Sequence, residues 1–213
     1  MSRTALLAAA LALAACGSPG DAPVAETTAV TDDGTLTFAG TPVPLAEGPD
    51  VVTWTGAKIT GSHDGGFRTV DGELYLDGET VTGADVRIDA RSIYSDNDDL
   101  TGHLMSADFF EVDTYPEASF QTTALRALAA ADSVDWSEAT HLVTGRLTMH
   151  GQTNEITFPA VVSVTPEAAT VQAAFNVERA RWGLEYPGKP DDLIHDEVQI
   201  RIDARADRTA AGA

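Results

Sequence analysis

Nine residues near the C-terminal end, Glu197-Val198-Gln199-Ile200-Arg201-Ile202-Asp203-Ala204-Arg205, alternate strictly between apolar and polar. Val198, Ile200, Ile202 and Ala204 fall on one face, and Gln199, Arg201, Asp203 and Arg205 on the other. Strand side chains point to opposite sides in turn, so this run suits a half-buried antiparallel strand and not a helix of 3.6-residue period. The same period recurs in Val52-Thr53-Trp54-Thr55, Leu74-Tyr75-Leu76, Val86 to Ala90, Val143 to Met149 and Val171 to Val177. Turn signals stand at Asp64-Gly65-Gly66, Asp71-Gly72, Asp77-Gly78 and His150-Gly151, at hairpin spacing. The pattern predicts about seven to nine short strands. Many antiparallel strands with one apolar face each close into a sandwich or a barrel, and one helical insertion in a single domain favours the barrel. The fold expected is all-β, an antiparallel barrel of about eight strands, a size that can hold one small or elongated ligand.

The helical insertion is expected from Asp98 to Ala107, capped by Ser95 or Asp96. Asp98 and Asp99 lie in its first turn, where acids complement the helix dipole. Thr123 to Ala131 reads either as a second helix or as a strand continuing from Phe120.

The beginning of the chain reads as an export signal. Arg3 precedes an apolar run, Ala5 to Ala15, which is shorter than the roughly 20 residues of a membrane-spanning helix. It ends in Leu13-Ala14-Ala15-Cys16-Gly17, which resembles a bacterial lipobox. Residues 1–15 are therefore expected to be a lipoprotein signal peptide, and Cys16 a lipidated mature N-terminus. The resemblance implies attachment to the cell envelope. Gly17 after the Cys resembles sorting to the periplasmic side of the outer membrane in a Gram-negative host. Residues 16–49 read as a flexible tether, within which Thr35-Leu36-Thr37-Phe38 could form an early strand. The barrel domain is expected over 50–206, and 207–213 reads as a disordered tail.

Charge removes one class of function. The chain carries 13 basic and 33 acidic residues, net −20, so it repels phosphate backbones and nucleic acid is not expected as a partner. Cys16 is the only cysteine, which excludes disulfides and thiolate chemistry in the domain. No His-Glu-x-x-His, Gly-x-Ser-x-Gly, P-loop or Rossmann motif occurs. The acidic run from Asp96 to Asp99 fails as a calcium loop, because Thr101 and Ala107 stand where Gly and Glu are needed. His63, His103, His141, His150 and His195 are scattered, so neither a metal site nor a cofactor is expected. Arg179 and Arg181 flank Trp182 and could hold an anionic head group or pair with the protein's own carboxylates.

One stretch resists a generic reading. His103-Leu104-Met105-Ser106-Ala107-Asp108-Phe109-Phe110-Glu111-Val112-Asp113-Thr114-Tyr115-Pro116 places two adjacent Phe among acids. Together with Trp54-Thr55-Gly56, Gly61-x-His63-x-Gly65-x-Phe67, Gly145-x-Leu147-Thr148-x-His150-Gly151 and Arg179-x-x-Trp182-Gly183, it resembles the YceI-like family of bacterial exported lipid-binding proteins. The resemblance runs from about Val51 to Ala206. It implies a lipocalin-like barrel whose apolar interior holds an isoprenoid chain, of a polyprenyl carrier or quinone type, and it implies no catalytic residues. It also implies homodimers, so a second copy is a candidate partner beside the lipid and the membrane. Many members have Arg where this chain has Leu100, which leaves a neutral lipid or quinone open. Candidate pocket residues are Trp54, Phe67, Leu104, Phe109, Phe110, Phe120, Leu147, Phe175, Trp182 and Ile200. At least one of Phe109 and Phe110 should plug the barrel mouth, while Asp108, Glu111 and Asp113 face water. Two rival functions are an enzyme on a hydrophobic substrate, using His63, His103 or His150, and a ligand-free structural or stress-response module.

Overall fold

A computed structural model describes residues 20–30 and 34–209. Thirteen strands form one antiparallel sheet that curls on itself. They are β1 (Glu26–Ala29), β2 (Thr41–Pro44), β3 (Val52–Lys58), β4 (Gly61–Phe67), β5 (Val70–Asp77), β6 (Thr80–Asp89), β7 (Ile93–Ser95), β8 (Glu117–Ala127), β9 (His141–Met149), β10 (Gln152–Val164), β11 (Ala168–Glu178), β12 (Gly188–Lys189) and β13 (Asp192–Asp207). One helix, α1 (Asp98–Met105), lies between β7 and β8. The sheet order is β2-β5-β6-β8-β9-β10-β11-β13-β3-β4-β7, with β1 on β10 and β12 on β13.

The count exceeds eight for a physical reason. Two long strands bend at a shared corner and divide there. β4 continues into β5 and β6 into β7, and the ladder carries round the bend through Arg68 N to Ser92 O (3.1 Å) and Asp89 N to Thr69 O (3.1 Å). Asp89 fixes the corner by accepting from Arg91 N at 3.0 Å. Beyond β2 the sheet closes onto the C-terminal part of β13. Leu45 donates to Gly72 O on one side and bridges Ala206 on the other, and Ala46 N donates to Arg205 O at 2.7 Å. These bonds satisfy edge groups that would otherwise be open to another chain.

The stretch read as a tether is largely structural. β10 and β11 pair only between Val161–Val164 and Ala169–Gln172 and then splay apart. β1 fills the gap. It pairs with Asn154–Thr157 of β10, while Ala25 N donates to Asn176 O and Asn176 N to Pro23 O, both at 2.8 Å. Ala25 is buried in the same core as Phe158 and Phe175. Thr35–Phe38, by contrast, is not a strand, although Phe38 stacks on Tyr75 at 4.6 Å. Cys16 and the leader lie outside the described residues, as do the last four residues of the tail. Asp207 closes β13, and Arg208 bonds to the carbonyls of Thr165, Gly78 and Glu167.

Other expectations are corrected locally. α1 ends at Met105 and is capped by Asn97, whose side chain accepts from Leu100 N at 3.0 Å. Ser95 instead bonds Thr101. The Thr123 to Ala131 segment is strand as far as Ala127. Asp64-Gly65-Gly66 and Asp71-Gly72 lie inside β4 and β5 and do not turn the chain. A Cβ on Gly65 would sit 2.2 Å from Tyr94 O and 2.3 Å from the Trp54 ring, so glycine here makes room and does not bend the backbone. His150-Gly151 is a true hairpin turn with both φ positive, at 48° and 70°, as a two-residue hairpin of this hand requires.

Gly65→Ala should push β4 off β7 and the Trp54 ring. Urea unfolding is expected to show a loss of about 1–3 kcal/mol, the range for overpacking, whereas Gly48→Ala, with open space around it, should be neutral within about 0.5 kcal/mol.

Candidate functional site

The inward faces of the strands do not meet. Between them lies a continuous cavity of about 460 Å³, within the range of about 300–1,000 Å³ usual for small-molecule sites. Leu45, Val52 and Ala204 line its enclosed end, and Lys58, His63, His103, Tyr186 and Lys189 its solvent-facing rim. Val52 and Lys58 begin and end β3 and both line the cavity, which therefore extends along about 20 Å of strand. The wall between these ends is almost wholly apolar side chains.

Nine of the ten candidate residues line this space: Trp54, Phe67, Leu104, Phe109, Phe110, Phe120, Leu147, Phe175 and Ile200. Trp182 does not. The 3-10 turn Arg179–Trp182 takes it off the end of β11, and it packs fully buried behind the wall against Phe158 and Phe175. Its Nε1 donates to Leu147 O at 2.9 Å, and its carbonyl meets His150 Nδ1 at 3.0 Å. Ile156 and Phe158 were missed as lining residues, although Ile156, Phe158 and Ala160 alternate along β10 and could have been read from the sequence. Tyr186 sits in an irregular loop and had no periodic signal.

The two adjacent phenylalanines are placed by the exit from α1. Phe110 N donates to Leu104 O, and Glu111 N to Ser106 O. Glu111 takes a left-handed conformation at φ 45°, uncommon for a residue with a Cβ. Phe109 is buried against Tyr186 (5.2 Å between centroids), and Phe110 is half-buried edge-on to Phe67 (6.1 Å). Asp108 and Asp113 face water, while Glu111 is only part-exposed and holds the Thr114 hydroxyl at 2.7 Å.

The rim is where polar groups gather. His103 lies edge-on to Phe109 and Tyr186 and meets Asp108 at 2.9 Å; His63 meets Asp96 at 2.8 Å. Each of these two imidazoles has a carboxylate as its hydrogen-bond partner among the described residues. His150, the third catalytic candidate, belongs to the hairpin turn under Tyr115. Among the described residues no three His, Cys, Asp or Glu side chains gather to hold a metal ion. Arg181 pairs with Glu178 at 2.8 Å, as one of the two readings held. Arg179 pairs with no carboxylate among the described residues. Its guanidinium donates to the backbone carbonyls of His195 (3.2 Å), Leu184 and Tyr186 (2.8 Å), and burial pushes its pKa down.

Asp192 ties the rim together. It accepts from Lys58 Nζ at 2.5 Å, from Thr60 Oγ1 at 2.9 Å and from Thr60 N at 3.1 Å, linking the β3–β4 turn to the start of β13. The Lys58 hydrogen bond, then those from Thr60, hold its carboxyl below the usual range. A carboxyl depressed on folding contributes stability above its unfolded pKa, about 3.9, and loses that contribution as pH falls through its folded value. The stability difference between the wild type and Lys58→Gln should therefore be present at pH 7 and shrink below about pH 4. Denaturation of both proteins across that interval checks this; a difference independent of pH would contradict it.

Residues 28–206 match the family model described as the YceI-like domain. The chain is 28% identical to a UPF0312 protein of Pseudomonas putida strain GB-1 over 144 residues, which cover 64% of this chain and 71% of that one. It is 33% identical to a UPF0312 protein of Vibrio cholerae over 98 residues, 45% and 48% of the two chains. The structure resembles BcnA of Burkholderia cenocepacia, with a TM-score of 0.60 at 22% identity over 73% of this chain and 96% of that one. It also resembles a polyisoprenoid binding domain from Saccharophagus degradans implicated in plant cell wall breakdown, with a TM-score of 0.59 at 17% identity over 78% and 99%.

Proposed function

The chain belongs to the YceI-like family, and from that premise we propose that it binds an amphiphilic isoprenoid lipid in its cavity without catalysing a reaction. The observation that carries this reading is the continuous apolar cavity, open at a polar rim. A wall of Phe, Leu, Ile and Val facing empty space forgoes dispersion contacts that a chain lying along it would restore. Each buried CH₂ contributes about 0.8 kcal/mol, so a lipid tail needs no dense polar recognition to be held. The polyisoprenoid binding domain of Saccharophagus degradans, which shares this fold, supports the same ligand class.

The reading extends to the envelope. Lipidation of Cys16 would place the barrel on a membrane, and the described structure bears on how it would sit there. Asn176 Nδ2 donates to Gly20 O, and Asn176 lies three residues before the cavity-lining residue Arg179. Four peptide links separate Cys16 from Gly20, a reach of about 14 Å at most. An anchor there holds the open half of the barrel near the lipid it would exchange with. Ferrying a lipid between membranes is the role such an arrangement serves.

Val198→Trp, at a half-buried wall position, should fill the cavity. Titration with geranylgeraniol, followed by intrinsic tryptophan fluorescence or calorimetry, is expected to give binding by the wild type and at least about tenfold weaker binding by the variant, as loss of two buried methylenes alone would give. Equal affinities would place the ligand elsewhere. Cys16→Ser should move the protein from the membrane to the soluble fraction of its host; continued membrane attachment would remove the anchor from the reading.

A further inference from the structure

The charge of the cavity wall runs opposite to the charge of the molecule. The chain has 13 basic and 33 acidic residues, yet the charged residues that line the cavity are Lys58, Arg179 and Lys189 against a single acid, Asp192. Lys58 and Lys189 are also the only two lysines in the sequence. A protein this acidic would neutralise three scattered cations many times over, so their collection at one opening requires a cause.

Four residues at the start of β13 bring them together. Lys189 stands opposite Asp192 in the β12–β13 pair, Lys58 stands opposite Ile194 in the β13–β3 pair, and Arg179 Nε donates to the carbonyl of His195. β13 bulges immediately beyond, between Ile194 and Val198, and this offsets the rim from the regular ladder. The local acids cancel only Lys58 of the group. Asp192 is engaged by Lys58 and Thr60. Asp96 and Asp108 face His63 and His103. Asp196 takes Ala180 N and acts on Arg179 only through space, and Asp191, in the turn beside Lys189, is not part of the wall. Among the described residues Arg179 is bonded to carbonyls alone, with no carboxylate in contact. Lys189 is exposed and has no side-chain partner among the described residues.

We infer that the lipid taken by this cavity carries an anionic head group, a phosphate or a carboxylate, which docks at the rim between Lys58 and Lys189 with the charge of Arg179 beside it in the wall. The inference rests on the cavity being a lipid site and names the class of lipid. The apolar length of the wall receives the tail. The ammonium groups meet the head as point charges, Lys189 directly and Lys58 by sharing or exchanging Asp192. Because the rest of the surface is acidic, the rim is the place where an anion is attracted and not repelled.

The test compares three ligands with one tail: geranylgeranyl phosphate, geranylgeranoic acid and the neutral alcohol geranylgeraniol, each titrated below its aggregation concentration at low and high salt. The wild type should bind at least one of the two anions about tenfold or more tighter than the alcohol, with the advantage shrinking in salt. The phosphate and the acid separate the two head chemistries. Lys189→Gln, which removes no side-chain contact among the described residues, and Lys58→Gln/Lys189→Gln should each lower the anion-to-alcohol affinity ratio toward one, each variant's own alcohol affinity serving as its reference. Equal affinity of the wild type for all three, or an anion preference that both variants keep, overturns the inference and leaves the lipid site standing. Failure of all three to bind overturns the lipid site and this inference with it.

Discussion

A sheet that must bury one face of every strand, and that curls until the chain beyond β2 reaches β13, fixes how far apart its inner side chains stand. Here they cannot reach across. Phe158 and Phe175 stack at 4.1 Å on one side, and Phe67 meets Phe110 edge-on at 6.1 Å on another, but between them an apolar space of about 460 Å³ persists. Everything functional about the molecule follows from that gap. It is continuous because β3 and β13 run its length. It is closed at one end by the Leu45–Ala206 junction and open at the other, where β13 bulges and α1 hands the chain to Phe109.

Much of this was legible in the sequence because strand alternation is a local signal that survives folding. The β13 pattern reads directly, and Val198, Ile200, Ile202 and Ala204 all face the cavity. Nine of ten candidate lining residues followed from the same logic or from the family resemblance. Failures came where a residue's role is set by a distant partner. Gly65 resembles a turn residue until the Trp54 ring is known to lie over it. Trp182 resembles a pocket aromatic until the 3-10 turn places it behind Leu147. β1 resembles a linker, because four residues with only Ala25 buried beside them carry no periodicity, and their role is to fill a splay between two other strands. Phe109 was placed at the opening by resemblance, since nothing in the local pattern announces the left-handed turn at Glu111.

The rim illustrates how a site can be built without a motif. Lys58, Arg179 and Lys189 lie on three elements, with no shared spacing, and only the pairing of β3 and β12 with β13 brings them to one edge. Composition held the clue, since two lysines in a chain of net charge −20 are unusual, but not the location. The division of labour is simple. On the proposed function, tail burial would supply affinity in proportion to area and the rim selection among heads, because charge discriminates where a uniform apolar wall does not.

The central claim is that the barrel is a container and not a filled core. Native mass spectrometry of the protein purified gently from its own host tests it most directly. A lipid-filled barrel should fly with one bound adduct, released on activation and identified by fragmentation as a long isoprenoid chain. Protein that consistently carries no adduct, while readily available isoprenoids fail to bind it on addition, would contradict the claim.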